Sequence, residues 1–247
     1  MLMGEFLAKC GAASDLFTLI NRSTQRIPGR LGVATVLANA VFAFVTGVSI
    51  AAAAAFSKIA YPEMRRYGYE RQFSLGCIAG SACLGMLIPP SVLMIVWGVL
   101  TELAIGKLFI AGIIPGFIVV TLYIIYIIWV AKTQPHRVGE GDNLPPAQKA
   151  ARDLQAQQPE QDLSTIFWST LGIIVLVVLV LGGIWLGAFT PTEGAGVGAT
   201  LALILAIMRG MRMKEMLEAV ISVGRTSAPL LLLLVTAQLY SRVLSMT

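Results

Sequence analysis

The stretch "AFVTGVSIAAAAAF", residues 43–56, interrupts an apolar segment with Thr46, Gly47 and Ser49 and continues with five alanines. A helix that only faces lipid does not need such an interruption. Backbone that leaves a helix at membrane depth is tolerated only where protein or a water-filled cavity surrounds it. The stretch therefore predicts a helix break that is enclosed within the protein.

The whole chain has the composition of a membrane protein. Of its 247 residues, 57% are hydrophobic and 13% are charged, and the mean hydropathy is +0.80. Soluble domains carry about a quarter charged residues. The net charge of +5 does not indicate nucleic-acid binding, because the basic residues are placed where membrane topology accounts for them. We therefore expect a lipid bilayer, and no nucleic acid, among its partners.

The chemistry of an enzyme is not visible in the sequence. The three cysteines have no metal or redox spacing, and the single histidine, His136, lies in a polar linker. Ser49 and Ser91 have no accompanying base, so we predict no catalytic residues. No charged residue or histidine lies deep within residues 31–56, 73–101, 109–131 or 166–189, which argues against a proton relay or a voltage sensor.

Apolar and polar segments alternate along the chain in a way that predicts its organisation. Residues 1–30 read as the end of a helix followed by an amphipathic arm, and 132–163 as a polar cytoplasmic linker with a short helix near 147–158. Thr190, Pro191 and Glu193 predict a capping box at the start of a helix. The remaining segments fall into two predicted units. The first unit, 31–131, contains a hairpin at 31–57, a broken helix at 73–101 and a spanning helix at 109–131. The second, incomplete unit, 164–247, contains spans at 166–189, 194–208 and 228–247.

The positions of the basic residues predict the topology. Sixteen of the eighteen Lys and Arg residues fall in four segments, four in each, and positive charge marks the cytoplasmic side. Arg30 and Lys58 both flank the apolar stretch 31–57, so a straight span would place one basic cluster outside. A re-entrant hairpin with limbs of about 14 residues, or about 21 Å of helix, keeps both inside. The four basic segments are 9–30, 58–71, 132–163 and 209–225.

A second break is predicted in the next apolar segment, at "GMLIPPS", residues 85–91. Pro89 and Pro90 cannot donate backbone hydrogen bonds, so carbonyl groups near Gly85–Ile88 are freed. Together with the hydroxyl groups of Thr46 and Ser49 they offer five or six neutral oxygens, which suits Na⁺. The same residues also fit a proline-kinked span beside a Gly/Ala packing seam. The occurrence of two breaks in adjacent segments favours the ion site.

A weak internal repeat accompanies these breaks. "MGEFLAK", residues 3–9, aligns without gaps with "TAQLYSR", residues 236–242. The charge topology places Lys9 inside and Arg242 outside, so the two copies are expected to run in opposite directions, as in an inverted repeat.

Two longer stretches resemble a known family. "AAAAAFSKIAYPEMRRYGYERQFSLGCIAGSACLGMLIPPSVLMIVWGVLTELAIGKLFIAGIIPG" and "GAFTPTEGAGVGA" are similar to the large membrane subunit of tripartite ATP-independent periplasmic (TRAP) transporters. The resemblance covers the chain except for residues 133–163. It implies an all-α integral membrane protein of the bacterial inner membrane, one inverted-repeat half of an elevator-type transporter with a re-entrant helical hairpin and a broken transmembrane helix.

The resemblance also implies a function and a site. The expected function is sodium-coupled import of organic acids such as dicarboxylates or sialic acid, with a small membrane subunit and a periplasmic substrate-binding protein as partners. No cofactor is implied beyond Na⁺ as the coupling ion. Sodium would be held by Thr46, Ser49 and backbone oxygens of Gly85, Ile88 and Pro90, and the substrate would contact Gly47, Val48, Pro89 and Ser91.

The chain departs from the family pattern in two respects. The family usually has serine where Thr46 and Val48 stand, so valine removes one hydroxyl group. Family members also begin with an extra helix and continue through a second hairpin, so we expect a chain truncated at both ends, without the second sodium site. The alternative function is therefore a transport-inactive membrane scaffold or subunit fragment.

Overall fold

The computed structural model describes residues 1–139 and 163–245, and the regular secondary structure in these ranges is helical. The predicted short helix near 147–158 lies outside the described residues. The helices are α1 Leu2–Lys9, α2 Ala12–Ser23, α3 Arg30–Thr46, α4 Ser49–Arg66, α5 Arg71–Ala82, α6 Leu84–Leu87, α7 Val92–Thr101, α8 Ile105–Thr133, α9 Leu163–Trp185, α10 Pro191–Met208 and α11 Met213–Ser245, with a 3₁₀ turn at Pro135–Arg137.

The prediction of an all-α membrane protein is confirmed. Within the described ranges, four helical stretches are long and apolar enough to cross a bilayer: 71–101, 105–133, 191–208 and 213–240. Their outer faces carry large exposed apolar side chains, such as Phe117 and Leu232. Exposed apolar surface of this extent is what a lipid-facing protein presents.

Helices α3 and α4 form an antiparallel hairpin that turns at Gly47 and Val48. The ring centroids of Phe42 and Phe56, one on each limb, are 5.7 Å apart in an edge-to-face arrangement. At the open end, the guanidinium carbon of Arg30 lies 4.6 Å from the centroid of the Tyr67 ring. The chain thus returns to the end of the molecule from which it started.

The second limb is longer than the sequence indicated. The hairpin was expected to end at residue 57, because residues 58–71 are polar and basic, but α4 continues to Arg66. Phe56, Ala60 and Met64 are fully buried at a spacing of four residues. This apolar stripe packs on α3 and stabilises the helical conformation within the basic segment. The charged side chains of that segment lie on the other faces of the helix.

The broken helix also differs in its bounds from the predicted 73–101. It begins at Arg71 and has a minor interruption at Cys83, and Gly85 lies within the single turn α6, so the main break is at residues 88–91. The two prolines account for this position, because a proline can follow a helical turn but cannot continue its hydrogen bonds. The next helix, α8, extends beyond the predicted 109–131 at both ends.

The helices after the linker agree in order with the predicted spans, but their limits are different. Helix α9 ends at Trp185, four residues before the predicted 189. Residues 228–247 were expected to be a separate span, whereas α11 begins at Met213 and continues through Pro229. The amphipathic segment 209–227 is therefore largely the first part of the same helix.

The predicted capping box at the start of α10 is confirmed. The Thr190 hydroxyl oxygen accepts a hydrogen bond from the Glu193 backbone N–H at 3.3 Å, and the Thr190 N–H donates to the Glu193 carboxylate at 2.8 Å. These bonds satisfy two of the donors that a helix start leaves free.

Replacing Thr190 with alanine is expected to destabilise the protein by about 1 kcal/mol, the usual cost of removing a hydroxyl cap. The measurement is thermal unfolding of the purified protein in lipid nanodiscs. The exposed Thr192, two residues later on the same turn, offers the control Thr192→Ala. Equal stability losses in the two variants would contradict a capping role for Thr190.

The basic segments lie together at one end of the described structure. Lys9 pairs with Glu218 at 3.2 Å, and Arg209 pairs with Asp15 at 2.8 Å, so segments 9–30 and 209–225 adjoin. The Arg30–Tyr67 contact joins segments 9–30 and 58–71. The start of the linker joins them through the pair of Glu70 and Arg137, whose nitrogen and oxygen are 2.5 Å apart, and this carboxylate raises the pKa of the Arg137 guanidinium. We call this end the basic end.

The two copies of the weak repeat run in opposite directions. Helix α1 places Met1 beside Ser227 and Lys9 beside Glu218, so α1 and α11 are antiparallel. Residues 3–9 therefore lead toward the basic end. Residues 236–242 lie further along α11 and lead away from it. This geometry supports the inverted-repeat interpretation.

Candidate functional site

The two helix breaks touch each other. The backbone N–H of Val92, the first residue of α7, donates to the Gly47 carbonyl at 3.1 Å. Gly47 has φ +62° and ends α3, and a Cβ atom at this position would overlap the Pro90 carbonyl oxygen. Only glycine combines this backbone conformation with this closeness. The hairpin tip and the break after α6 are thus joined through main-chain atoms.

A second close approach involves Gly85. A Cβ atom at Gly85 would lie 3.1 Å from the Val48 carbonyl carbon and 3.3 Å from the Ser49 nitrogen. The backbone of α6 therefore passes directly beside the start of α4. Because Gly85 has no side chain, its backbone can lie next to the backbone of Ser49, a residue that bears a hydroxyl group.

Three hydroxyl groups are buried around this junction. Thr46 is 2% exposed and donates to the Phe42 carbonyl at 3.2 Å, which leaves its oxygen lone pairs free to accept or coordinate. Ser49 is 8% exposed, and its hydroxyl makes no hydrogen bond to any part of the chain that the structure describes. Ser91 is fully buried and donates to the Met86 carbonyl at 2.5 Å.

The prolines change which carbonyls need a partner. In a continuous helix, residues 89 and 90 would donate to the carbonyls of Gly85 and Met86, but proline has no N–H. The Ser91 hydroxyl replaces the missing donor at Met86. The Gly85 carbonyl loses its helical donor at the position where Val48 and Ser49 approach. This loss leaves the Gly85 carbonyl as a neutral oxygen acceptor without a helical donor, in a residue whose backbone adjoins the start of α4.

The structure brings most of the predicted ion-site residues together. Thr46, Ser49, Gly85 and Pro90 meet at the junction of the tip and the break. Ile88 is buried beside them, but its side chain packs toward α8, where a Cβ at Gly116 would lie 3.0 Å from Ile88 Cγ1.

The residues predicted to contact substrate surround the same junction. Gly47 and Ser91 adjoin, since a Cβ at Gly47 would lie 3.6 Å from the Ser91 Cα. Val48 lines one cavity, described next, and Pro89 is buried in the break.

Two cavities flank the tip, and Thr46 lines both. The first, of about 340 Å³, lies between α1, α4 and α11 and extends toward the basic end, where Lys9 and Lys58 line it. The alanines Ala51, Ala54 and Ala55 form its α4 wall. The second, of about 440 Å³, lies between α1, α7, α9 and α10 and is lined mainly by apolar residues and Pro90.

Helix α1 also meets the tip directly. A Cβ atom at Gly4 would lie 2.5 Å from the Thr46 Cγ2 and 2.7 Å from its Cα. Ala8, one turn further along α1, lines the first cavity together with Thr46. The close packing at Gly4 holds α1 against the end of α3.

Sequence reasoning did not find one polar residue near the junction. Asn39 is fully buried in α3 and donates to Ser81 of α5 at 2.6 Å. The signal that could have identified Asn39 in the sequence is a lone asparagine within a mostly apolar helix. No group of three His, Cys, Asp or Glu side chains that could hold a metal gathers among the described residues. The donors at the junction are neutral oxygens.

Paired helix breaks with neutral oxygens, in an α-helical membrane protein, are typical of the class of secondary transporters. The sequence profile of the DctM component of tripartite ATP-independent periplasmic transporters matches residues 1–247. The chain belongs to this family, whose members are transporter permeases of the inner membrane and not enzymes.

Curated relatives agree with this assignment. The chain is 36% identical over 251 residues to the C4-dicarboxylate TRAP transporter large permease protein DctM of Pseudomonas aeruginosa, covering 99% of this chain and 54% of the relative. It is 31% identical to the sialic acid TRAP transporter large permease protein SiaM of Vibrio cholerae, covering 83% and 44%. It is 28% identical to the isethionate TRAP transporter permease protein DctMQ of Oleidesulfovibrio alaskensis, covering 98% and 36%. The chain spans about half the length of the relatives or less.

Proposed function

We propose that the chain is part of a sodium-coupled permease for organic anions and that the junction of the two breaks is a sodium site. The observation that carries the proposal is the main-chain contact between Gly47 and the Pro90–Val92 segment. We expect this contact to hold the Thr46 and Ser49 hydroxyls near the Gly85 carbonyl, which Pro89 leaves without its helical donor. The proposed ligands are Thr46, Ser49 and the backbone oxygens of Gly85, Ile88 and Pro90.

The chemistry of these donors favours a monovalent cation. Hydroxyl and carbonyl oxygens carry partial negative charge, and no carboxylate lies among the proposed ligands. A hard divalent ion buried among neutral ligands alone would be poorly compensated, whereas Na⁺ needs only a few oxygen dipoles. The free Ser49 hydroxyl and the Gly85 carbonyl without a helical donor are groups that an ion would satisfy.

The class of substrate is supported by the relatives. Their names specify C4-dicarboxylates, sialic acid and isethionate, all of which are small organic anions. We propose that Gly47, Val48, Pro89 and Ser91 contact such an anion beside the ion. Val48 and the lysines Lys9 and Lys58 line the first cavity, which suits passage of an anion toward the basic end.

The proposed partners and motion follow from the family. We propose a small membrane subunit and a periplasmic substrate-binding protein as partners. The relative named DctMQ supports the small-subunit partner, because in that protein the two membrane subunits are fused in one chain. An elevator-type movement of the hairpin is supported by the alanine wall of the first cavity, because small side chains allow helices to slide in close contact.

The sodium site is tested by a hydroxyl deletion at Ser49. We expect sodium, compared with potassium at constant ionic strength, to raise the thermal midpoint of the purified protein in nanodiscs. Ser49→Ala should raise the sodium concentration for half-maximal stabilisation at least about tenfold, since one lost ion contact costs about 1.4 kcal/mol or more.

The control is Ser57→Ala, because Ser57 is exposed on the same helix two turns further from the tip. A wild-type protein that does not distinguish sodium from potassium would contradict the proposal. Retention of the sodium effect in both serine variants would exclude Ser49 as a ligand. Stable assembly with the partner subunits but no sodium-dependent uptake would instead favour the scaffold function.

A further inference from the structure

Asn39 forms a polar contact that the proposed ion site does not itself use. Its side chain is fully buried in the middle of α3, and its Nδ2 donates to the Ser81 hydroxyl oxygen at 2.6 Å. Ser81 is equally buried near the end of α5. In the described part of the chain, no other side-chain hydrogen bond joins α3 to α5.

The direction of this hydrogen bond is determined by Ser81. The Ser81 hydroxyl donates its proton to the Cys77 carbonyl at 2.6 Å, so its oxygen can only accept from Asn39. The Asn39 Oδ1 is consequently left buried without a hydrogen-bond partner in the described structure.

A buried carbonyl without a hydrogen-bond partner lowers the stability of the folded protein, because it loses its bonds to water and gains none in return. An apolar residue of similar size would fill the same space without this cost, and the Ser81 hydroxyl would keep its own hydrogen bond to the Cys77 carbonyl. Packing alone therefore does not explain an asparagine at position 39. The benefit must lie in the position that its hydrogen bond gives to the two helices.

The Asn39–Ser81 contact lies between the junction of the two breaks and the basic end. Asn39 precedes Thr46 by seven residues, which is two helical turns or about 10 Å. Ser81 precedes Gly85 by four residues. The hydrogen bond thus links the limb that carries the tip hydroxyls to the segment that carries the Gly85 carbonyl.

We propose that the Asn39–Ser81 hydrogen bond is a positioning contact that sets the spacing between the two halves of the ion site. The inference rests on the proposed sodium site. Asn39 does not touch the ion; it fixes the depth and rotation of α3 relative to α5. Hydroxyl and carbonyl oxygens then converge at the distance that Na⁺ requires, and a slip between the helices separates them.

The test separates positioning from stability, because the two are expected to change in opposite directions. Asn39→Leu should leave the thermal midpoint in sodium-free potassium buffer unchanged or raise it. The same substitution should increase the sodium concentration for half-maximal stabilisation about fivefold or more. Both quantities come from the nanodisc titration of the purified protein.

Thr35→Val supplies the matched control. Thr35 is also fully buried in α3, but its hydroxyl bonds to the Leu31 carbonyl at 2.7 Å and to the Met64 sulfur at 3.8 Å, both within the hairpin. Its loss should leave the sodium concentration for half-maximal stabilisation unchanged. The exchanged pair Asn39→Ser with Ser81→Asn restores a serine–asparagine hydrogen bond and should return that concentration to within about twofold of wild type.

Each outcome decides the question. A wild-type sodium response that Asn39→Leu leaves unaltered would overturn the positioning role while the proposed function stands. A parallel loss of sodium-free stability and sodium affinity, with no rescue by the exchanged pair, would assign Asn39 a structural role only and also overturn it. A wild-type protein without any sodium response would refute the proposed function on which the inference rests.

Discussion

Gly47→Ala should abolish sodium-dependent stabilisation and should be among the most destabilising single substitutions in the chain. A Cβ at this position would overlap the Pro90 carbonyl oxygen, so the tip and the break would have to separate. The left-handed conformation adds about 1–2 kcal/mol of backbone strain, and the forced overlap adds about 1–3 kcal/mol. Thermal unfolding with and without sodium measures both effects.

Gly210→Ala is the control for the backbone strain of a left-handed conformation. Gly210 also has a left-handed conformation, with φ +79°, but a Cβ there would meet no atom within 4 Å. The control should lose only the strain energy, about 1–2 kcal/mol, and keep the full sodium response. If Gly47→Ala behaved like Gly210→Ala in both measurements, the two breaks would not depend on their mutual contact.

The second large effect concerns the side of the membrane to which the hairpin returns. In a cysteine-free background, in which Cys10, Cys77 and Cys83 are replaced, cysteines at the exposed positions Arg26 and Lys58 should both react with an impermeant maleimide in inverted membrane vesicles. Neither should react in spheroplasts. The expectation follows from the basic end, where the segments that contain these residues adjoin.

Lys107→Cys is the reference for the opposite side. Lys107 is exposed in the first turn of α8, outside the four basic segments, and should react only in spheroplasts. Labelling of positions 26 and 58 from opposite sides would mean that residues 31–57 cross the membrane. The hairpin and the ion site at its tip would then both be wrong.

The local chemistry of the breaks was readable from the sequence. Gly47 between two hydroxyl-bearing residues, and two consecutive prolines after Gly85, each have a direct backbone consequence that needs no distant partner. The capping box at Thr190 is local for the same reason. Strong apolar composition and clustered basic residues were enough to predict a helical membrane protein.

Features that depend on distant partners were not readable. The length of α4 depends on its buried apolar stripe, and this stripe stabilises the helix only when α3 packs against it. The Asn39–Ser81 contact spans 42 residues, and one sequence gives no sign of which buried polar groups meet. The continuity of α11 is not visible in the sequence, because its composition changes from amphipathic to apolar within the helix, and a helix can change its surroundings without ending.

The fit between Gly4 and Thr46 sets the height of the hairpin along α1. At the observed height, Thr46 occupies the space that the missing side chain of Gly4 leaves. Ala8, about 6 Å further along the same face, already carries a methyl group, so the hairpin cannot approach α1 as closely there. The closest approach of the two helices is therefore tied to a single position on α1.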